Sequence, residues 1–129
     1  QNIINALNEV LTEDGPTILI ETMAGKGTEI GSKINEIEII IKNINLKDKI
    51  GVCIDTCHLN DSGVDLTKFD QFLELFDKYI GIDKIKCVHI NDSKNQIEAK
   101  KDRHENFGFG TIGFETLMKI INHQTFLFF

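Results

Sequence analysis

Three short segments of this chain carry side chains of the kinds that hold metal ions: Cys53-Ile54-Asp55-Thr56-Cys57-His58, His89-Ile90-Asn91-Asp92-Ser93-Lys94 and Asp102-Arg103-His104-Glu105-Asn106. Each lies where an apolar, strand-like run ends, and Glu21 closes another such run upstream. Histidine nitrogen and Asp or Glu oxygen are donors that borderline-soft Zn2+ takes readily, so the pattern is that of a multinuclear zinc site. Each piece also has a plainer reading. Asp55 after a strand can be a helix cap, and Asp102 to Asn106 can be a solvated charged loop. If the latter segment is extended, period-two alternation puts Asp102 and His104 on one side of it.

The elements that must position these residues show in the apolar pattern. Strand-like runs at Thr17 to Glu21, Ile50 to Asp55, Lys86 to Asn91 and Thr125 to Phe129 alternate with helical patterns. Ile30, Ile34, Ile37, Ile41 and Ile44 share one helical face, and Phe69, Phe72, Leu73, Phe76 and Ile80 share another. Phe114, Leu117, Met118 and Ile121 repeat the spacing, while Ile3, Ile4, Leu7, Val10 and Leu11 end an earlier helix. Thr67 followed by Asp70 resembles a capping box opening the second helix. Alternating strands and helices imply parallel pairing through right-handed crossovers. The expected class is α/β, either part of a (β/α)8 barrel or a doubly wound sheet. In both, function gathers at the carboxyl ends of the strands, where Glu21, Asp55 and His89 fall.

Composition sets the bounds. The 129 residues are one domain's worth, and 41% apolar content supports a core. A net charge of -6 argues against a nucleic-acid partner held by general electrostatics. The average conceals an asymmetry: residues 84–104 carry Lys84, Lys86, Lys94, Lys100, Lys101 and Arg103 against Asp92, Glu98 and Asp102, a local +3 that leaves -9 elsewhere. A phosphate-bearing partner can dock there beside divalent metal. The 3 cysteines form no C-x-x-C pair, which suggests reduced thiols in an intracellular compartment, with Cys53 and Cys87 as small core residues. No apolar run approaches the roughly 20 residues that span a bilayer, so no membrane partner is expected. The apolar run at Thr125 to Phe129, with Gln1 at the start, reads as an internal piece of a longer protein, residues 1–129 being a single incomplete domain.

Two further signals are read as structural. Gly108-Phe109-Gly110-Thr111-Ile112-Gly113 matches the dinucleotide fingerprint letter for letter, but a polar stretch rather than a strand precedes it, so it is taken as a loop entering a helix. His123, at the end of the third helical pattern, complements the helix dipole.

Taken with Leu19-Ile20-Glu21-Thr22-Met23-Ala24-Gly25 and with Gly110-x-Ile112-Gly113, the three segments resemble the signatures of endonuclease IV over about residues 17–122. That resemblance implies a TIM barrel, of which this chain supplies about four consecutive β/α units from the C-terminal half. It also implies zinc-dependent hydrolysis of the phosphodiester bond 5′ to abasic sites in double-stranded DNA, the incision step of base-excision repair. Three zinc ions are implied, with Mn2+ as an alternative occupant. Glu21 would bridge two of them and serve the reaction directly, Asp55 and His89 would ligate one of that pair, and His58, Asp102 and His104 would hold the third. Lys94 and Arg103 would contact DNA phosphates. The family draws two more histidines and a glutamate from outside this sequence, so the 129 residues alone are expected to be inactive. Monomeric state at full length and an intracellular site, cytoplasmic in a prokaryote and nuclear or organellar in a eukaryote, are implied as well. The rivals are a divalent-metal sugar isomerase or epimerase barrel, which does not need the Asp102 to Asn106 segment, and a non-catalytic remnant that binds metal or DNA.

Overall fold

The computed structural model describes residues 1–126. Three parallel strands, β1 (Ile18–Glu21), β2 (Ile50–Asp55) and β3 (Ile85–His89), form a sheet in that order. Helix α1 (Asn2–Val10) precedes β1, and α2 (Ile34–Lys42) joins β1 to β2. Between β2 and β3 lie α3 (Thr56–Ser62) and α4 (Phe69–Tyr79). A two-residue antiparallel pair, β4 (Asp92–Ser93) and β5 (His104–Glu105), then leads to α5 (Phe114–Ile121).

The middle strand β2 is buried along its whole length, as a strand covered on both sides must be. Ile50, Val52 and Ile54 pack into a core with Ile37, Ile40 and Ile41 of α2 and Phe72, Leu73 and Phe76 of α4. These helix positions recur at three- and four-residue spacing, which is why one face of each is apolar. Cys53 and Asp55 point to the opposite side of the sheet by alternation. Register then aligns the site. Glu21 lies opposite Cys53, and β3 skips Lys86 at an irregularity, so that Cys87 meets Cys53 and His89 comes level with Asp55.

Several sequence expectations need correction. Ile30 precedes α2 and is 51% exposed. Helix α5 buries Leu117 and Ile120, leaving Phe114 and Ile121 exposed, so its inner face is a narrower stripe than the pattern suggested. Ile3 and Val10 are likewise exposed, and Ile4 is the buried residue of α1. Thr67 does not cap α4. Its amide and hydroxyl both donate to Asp65 Oδ1, at 3.0 and 2.6 Å, opening a 3-10 turn (Leu66–Lys68) that runs into the helix. Helix α3 went unforeseen because seven residues are too few for periodicity; Asp55 starts it and Gly63, at φ 110°, ends it. At the expected fourth strand, Gln124–Phe126 forms a 3-10 turn and the remaining positions lie outside the described residues.

Candidate metal centre

Asp55 ends β2 fully buried, and its two carboxylate oxygens do different work. Oδ1 accepts the amide of His58 at 3.0 Å, the capping bond that opens α3. Oδ2 accepts Asn91 Nδ2 at 2.6 Å and lies 3.8 Å from His89 Nδ1 and 3.9 Å from His104 Nε2. The cap and the ligand readings therefore coexist in one side chain. Thr22, the residue after β1, steadies the strand end, its Oγ1 accepting the Asp55 amide at 3.0 Å.

The capping bond places His58 in the first turn of α3, buried against β1. Its Nδ1 meets the Thr22 carbonyl at 2.6 Å. A carbonyl only accepts, so that contact assigns the proton to Nδ1 and leaves the Nε2 lone pair facing outward, the orientation metal-binding histidines adopt. Nε2 lies 3.1 Å from Asp102 Oδ1. Burial opposes charge on His58, but Asp55, the Thr22 carbonyl, Asp102 and Glu21 outweigh it and raise its pKa above the ordinary imidazole value. Glu21 Oε1 stands 3.2 Å from His89 Nδ1 and 3.6 Å from His58 Nδ1. Asp102 Oδ1 also lies 3.3 Å from His104 Nε2.

Among the described residues, two of the possible donor sets share His58. The ligand atoms of His58, Asp102 and His104 lie within 4.8 Å of one another, and so do those of Glu21, Asp55 and His58. His89 adjoins the second set through Glu21 and Asp55. Among the described residues, none of Glu21, Asp55 or Asp102 pairs with a Lys or Arg; their ionic neighbours are imidazoles. Carboxylates gathered this closely favour a positive charge between them, and the nitrogen and oxygen donor set fits zinc.

Asp102 and His104 do not approach by strand alternation, because Asp102 has φ 53° and only His104 belongs to a strand. The loop before β5 instead turns Asp102 inward. Lys94 and Arg103 are exposed just beyond the β4/β5 pair, joined by a Lys94 amide to Arg103 carbonyl bond of 2.9 Å.

The glycine-rich loop folds around a carboxylate of the chain itself. Buried Asp92 accepts the amides of Ser93, Gly108, Gly110, Ile112 and Gly113 at 2.8 to 3.2 Å. A side chain at Gly110 would collide with the Ser93 carbonyl and the Asp92 carboxylate. Sequence reasoning gave no role to Asp92, Asn91, Thr22 or Asp61. The first two lie inside a quoted segment, and Thr22 follows Glu21, but nothing in residue type distinguishes a supporting carboxylate or hydroxyl from a ligand.

The cysteines are free thiols. Burial, with Cys87 alongside, pushes the Cys53 thiol up to about 12, and burial does the same for Cys57.

A family model described as xylose isomerase-like TIM barrel matches residues 1–127. The probable endonuclease 4 of Staphylococcus saprophyticus is 53% identical over 128 residues, covering 98% of this chain and 43% of that protein. Its counterpart from Clostridium botulinum is 52% identical over 123 residues, covering 94% of this chain and 44% of its own length. The crystal structure of endonuclease IV from Thermus thermophilus superposes with a TM-score of 0.80 at 27% identity, over 95% of this chain and 44% of that one. The chain thus spans less than half the length of the relatives it matches.

Proposed function

The chain belongs to the xylose isomerase-like TIM-barrel family, and from that footing we propose that it forms part of an endonuclease IV-type enzyme, a zinc-dependent hydrolase that cuts DNA 5′ to abasic sites in base-excision repair. One observation carries the reading: Glu21, Asp55 and His89 at three strand ends converge with His58 of α3, Asp102 of a loop and His104 of β5. The names of the relatives favour DNA over a sugar as substrate. So does the trio of His58, Asp102 and His104, which an isomerase does not require.

In this reading His58, Asp102 and His104 hold one zinc ion, while Glu21, Asp55 and His89 serve its neighbours. Bound divalent cations supply Lewis acidity to a phosphodiester and bring water within reach of deprotonation near neutral pH. The chain's own residues fix the donors. The Thr22 carbonyl holds the His58 ring with Nε2 outward, and the His58 amide and Asn91 lock both oxygens of Asp55. Glu21 stays half-exposed at the strand end, beside His89, and would itself serve two cations. Lys94 and Arg103, exposed just beyond the β4/β5 pair, would offer charge to DNA phosphates. Bound cations at the donor cluster would neutralise phosphate charge, which reconciles a chain of net charge -6 with a polyanion.

The test is incision of a duplex carrying one abasic-site analogue. A chimera in which these residues replace the matching stretch of the S. saprophyticus protein should cut it with zinc and stop on chelation. The 129 residues by themselves should not cut, because the resemblance implies three further ligands that this sequence does not contain. Comparable zinc-dependent cutting by the chain alone, or a folded, zinc-loaded chimera that leaves the duplex intact, would overturn the reading.

A further inference from the structure

Asp61, the sixth residue of α3, is fully buried. Its Oδ1 accepts Ser93 Oγ at 2.6 Å and Asn60 Nδ2 at 3.1 Å, and its Oδ2 accepts Asn95 Nδ2 at 3.0 Å and the Asp102 amide at 2.9 Å. A carboxylate surrounded by four donors in the interior is held in one orientation. It has no Lys, Arg or His partner in an ion pair among the described residues.

What it holds is unusual backbone. Glu98, Lys100 and Asp102 are the non-glycine residues with positive φ among those described, at 66°, 55° and 53°. Left-handed backbone is strained for residues with a Cβ, so three alternating ones persist only where the surroundings impose them. All three amides are claimed by the end of α3: Glu98 by the Asn60 carbonyl, Lys100 by the Asp61 carbonyl and Asp102 by the Asp61 carboxylate, each at 2.9 Å. The helix's last carbonyls need donors in any case. Only at Asp102, whose side chain faces His58 and His104, does a buried side chain take the bond.

We propose that Asp61 is a positioning residue for the His58, Asp102 and His104 trio: by holding the Asp102 amide it sets the Asp102 carboxylate against both imidazoles. The affinity and geometry of a metal there would then depend on a carboxylate that never touches the ion. The proposal rests on the metal reading given above. Asp61→Asn keeps the volume but turns an NH2 group toward donors, so at least one of Ser93, Asn95 and the Asp102 amide loses its acceptor.

Cobalt(II) binding to the full chain provides the test, since its visible d–d absorption reports ligand geometry without any turnover. The wild-type chain should bind Co2+ with a component that Asp102→Ala removes. In Asp61→Asn that component should weaken by about 10- to 100-fold, the range for a lost supporting partner, and its bands should shift; a merely structural role would lower the unfolding temperature and leave the bands where they are. If the wild-type chain binds no Co2+, or Asp102→Ala leaves binding unchanged, the metal reading itself fails and the proposal with it. If the Asp102-dependent component exists and a folded Asp61→Asn chain retains its affinity and spectrum, only the positioning role is overturned. Should Asp61→Asn not fold, Ser93→Ala decides: it removes one donor to Asp61, and weaker, shifted Co2+ binding supports the proposal whereas unchanged binding overturns it.

Discussion

The strand-held and loop-held halves of the donor cluster occupy neighbouring space but are fixed by different means. Glu21, Asp55 and His89 stand at the ends of adjacent parallel strands, so the ladder that pairs Glu21 with Cys53 and Asp55 with His89 sets their spacing. Asp102 comes from a loop with left-handed backbone, and buried Asp61 holds its amide. His58 joins the halves, since Asp55 caps its helix while its ring faces Asp102. A sheet places donors through many shared hydrogen bonds; a loop needs dedicated supports, and each is a point of failure.

The largest effect should come from the loop half. Asp102→Ala ought to weaken zinc binding at the trio by at least about 100-fold, the upper end of what even a supporting partner costs, while circular dichroism stays native. Calorimetric titration with zinc measures it, and a loss below a few-fold would mean that the trio is not a site. Glu21→Gln probes the strand half in the same assay. It removes a charge and keeps the shape, so binding there should fall by roughly 10- to 100-fold with the trio spared; equal losses at both would show that the halves are one unit.

Next in size is Asp92→Asn, which deprives some of five amides of their acceptor. Leaving buried donors unpaired costs about 1–3 kcal/mol, expected as a lower denaturation midpoint and faster amide exchange at residues 108–113. Protection equal to wild type would show that the loop does not need its carboxylate. The smallest effect concerns the thiols. Cys53 and Cys57, buried and held neutral up to a pKa of about 12, should resist iodoacetamide at pH 8, whereas partly exposed Cys87 reacts first. Because both folded values lie above that of an ordinary thiol, their contribution to stability is complete below about pH 9 and is lost as pH rises toward 12. Rapid alkylation of Cys57 would contradict its burial.

The same contrast explains what could be read from sequence. Buried parallel strands carry continuous apolar runs, so β2 shows its exact span and the donors at strand ends stand out by residue type. α4 shows equally well through the spacing of Phe69, Phe72, Leu73 and Phe76. Helix α3 has no such signal, being seven residues of which six are buried, polar and apolar side chains together. The supports were hidden because an Asp that accepts amides and an Asp that meets imidazoles are the same letter. Asp61 and Asp92 differ from Asp55 and Asp102 only in what surrounds them. The fingerprint Gly108 to Gly113 misleads for a related reason: glycine lets backbone close on an anion, and here the anion is Asp92 rather than a phosphate.

The central claim is that these six side chains form a metal centre, and anomalous scattering at the zinc edge from crystals of the chain grown with zinc tests it most directly. The account predicts a peak bonded to His58 Nε2, His104 Nε2 and a carboxylate oxygen of Asp102, at about 2.0–2.2 Å from each. Zinc at saturating concentration that is absent from this trio, or bound only elsewhere on the surface, would contradict it.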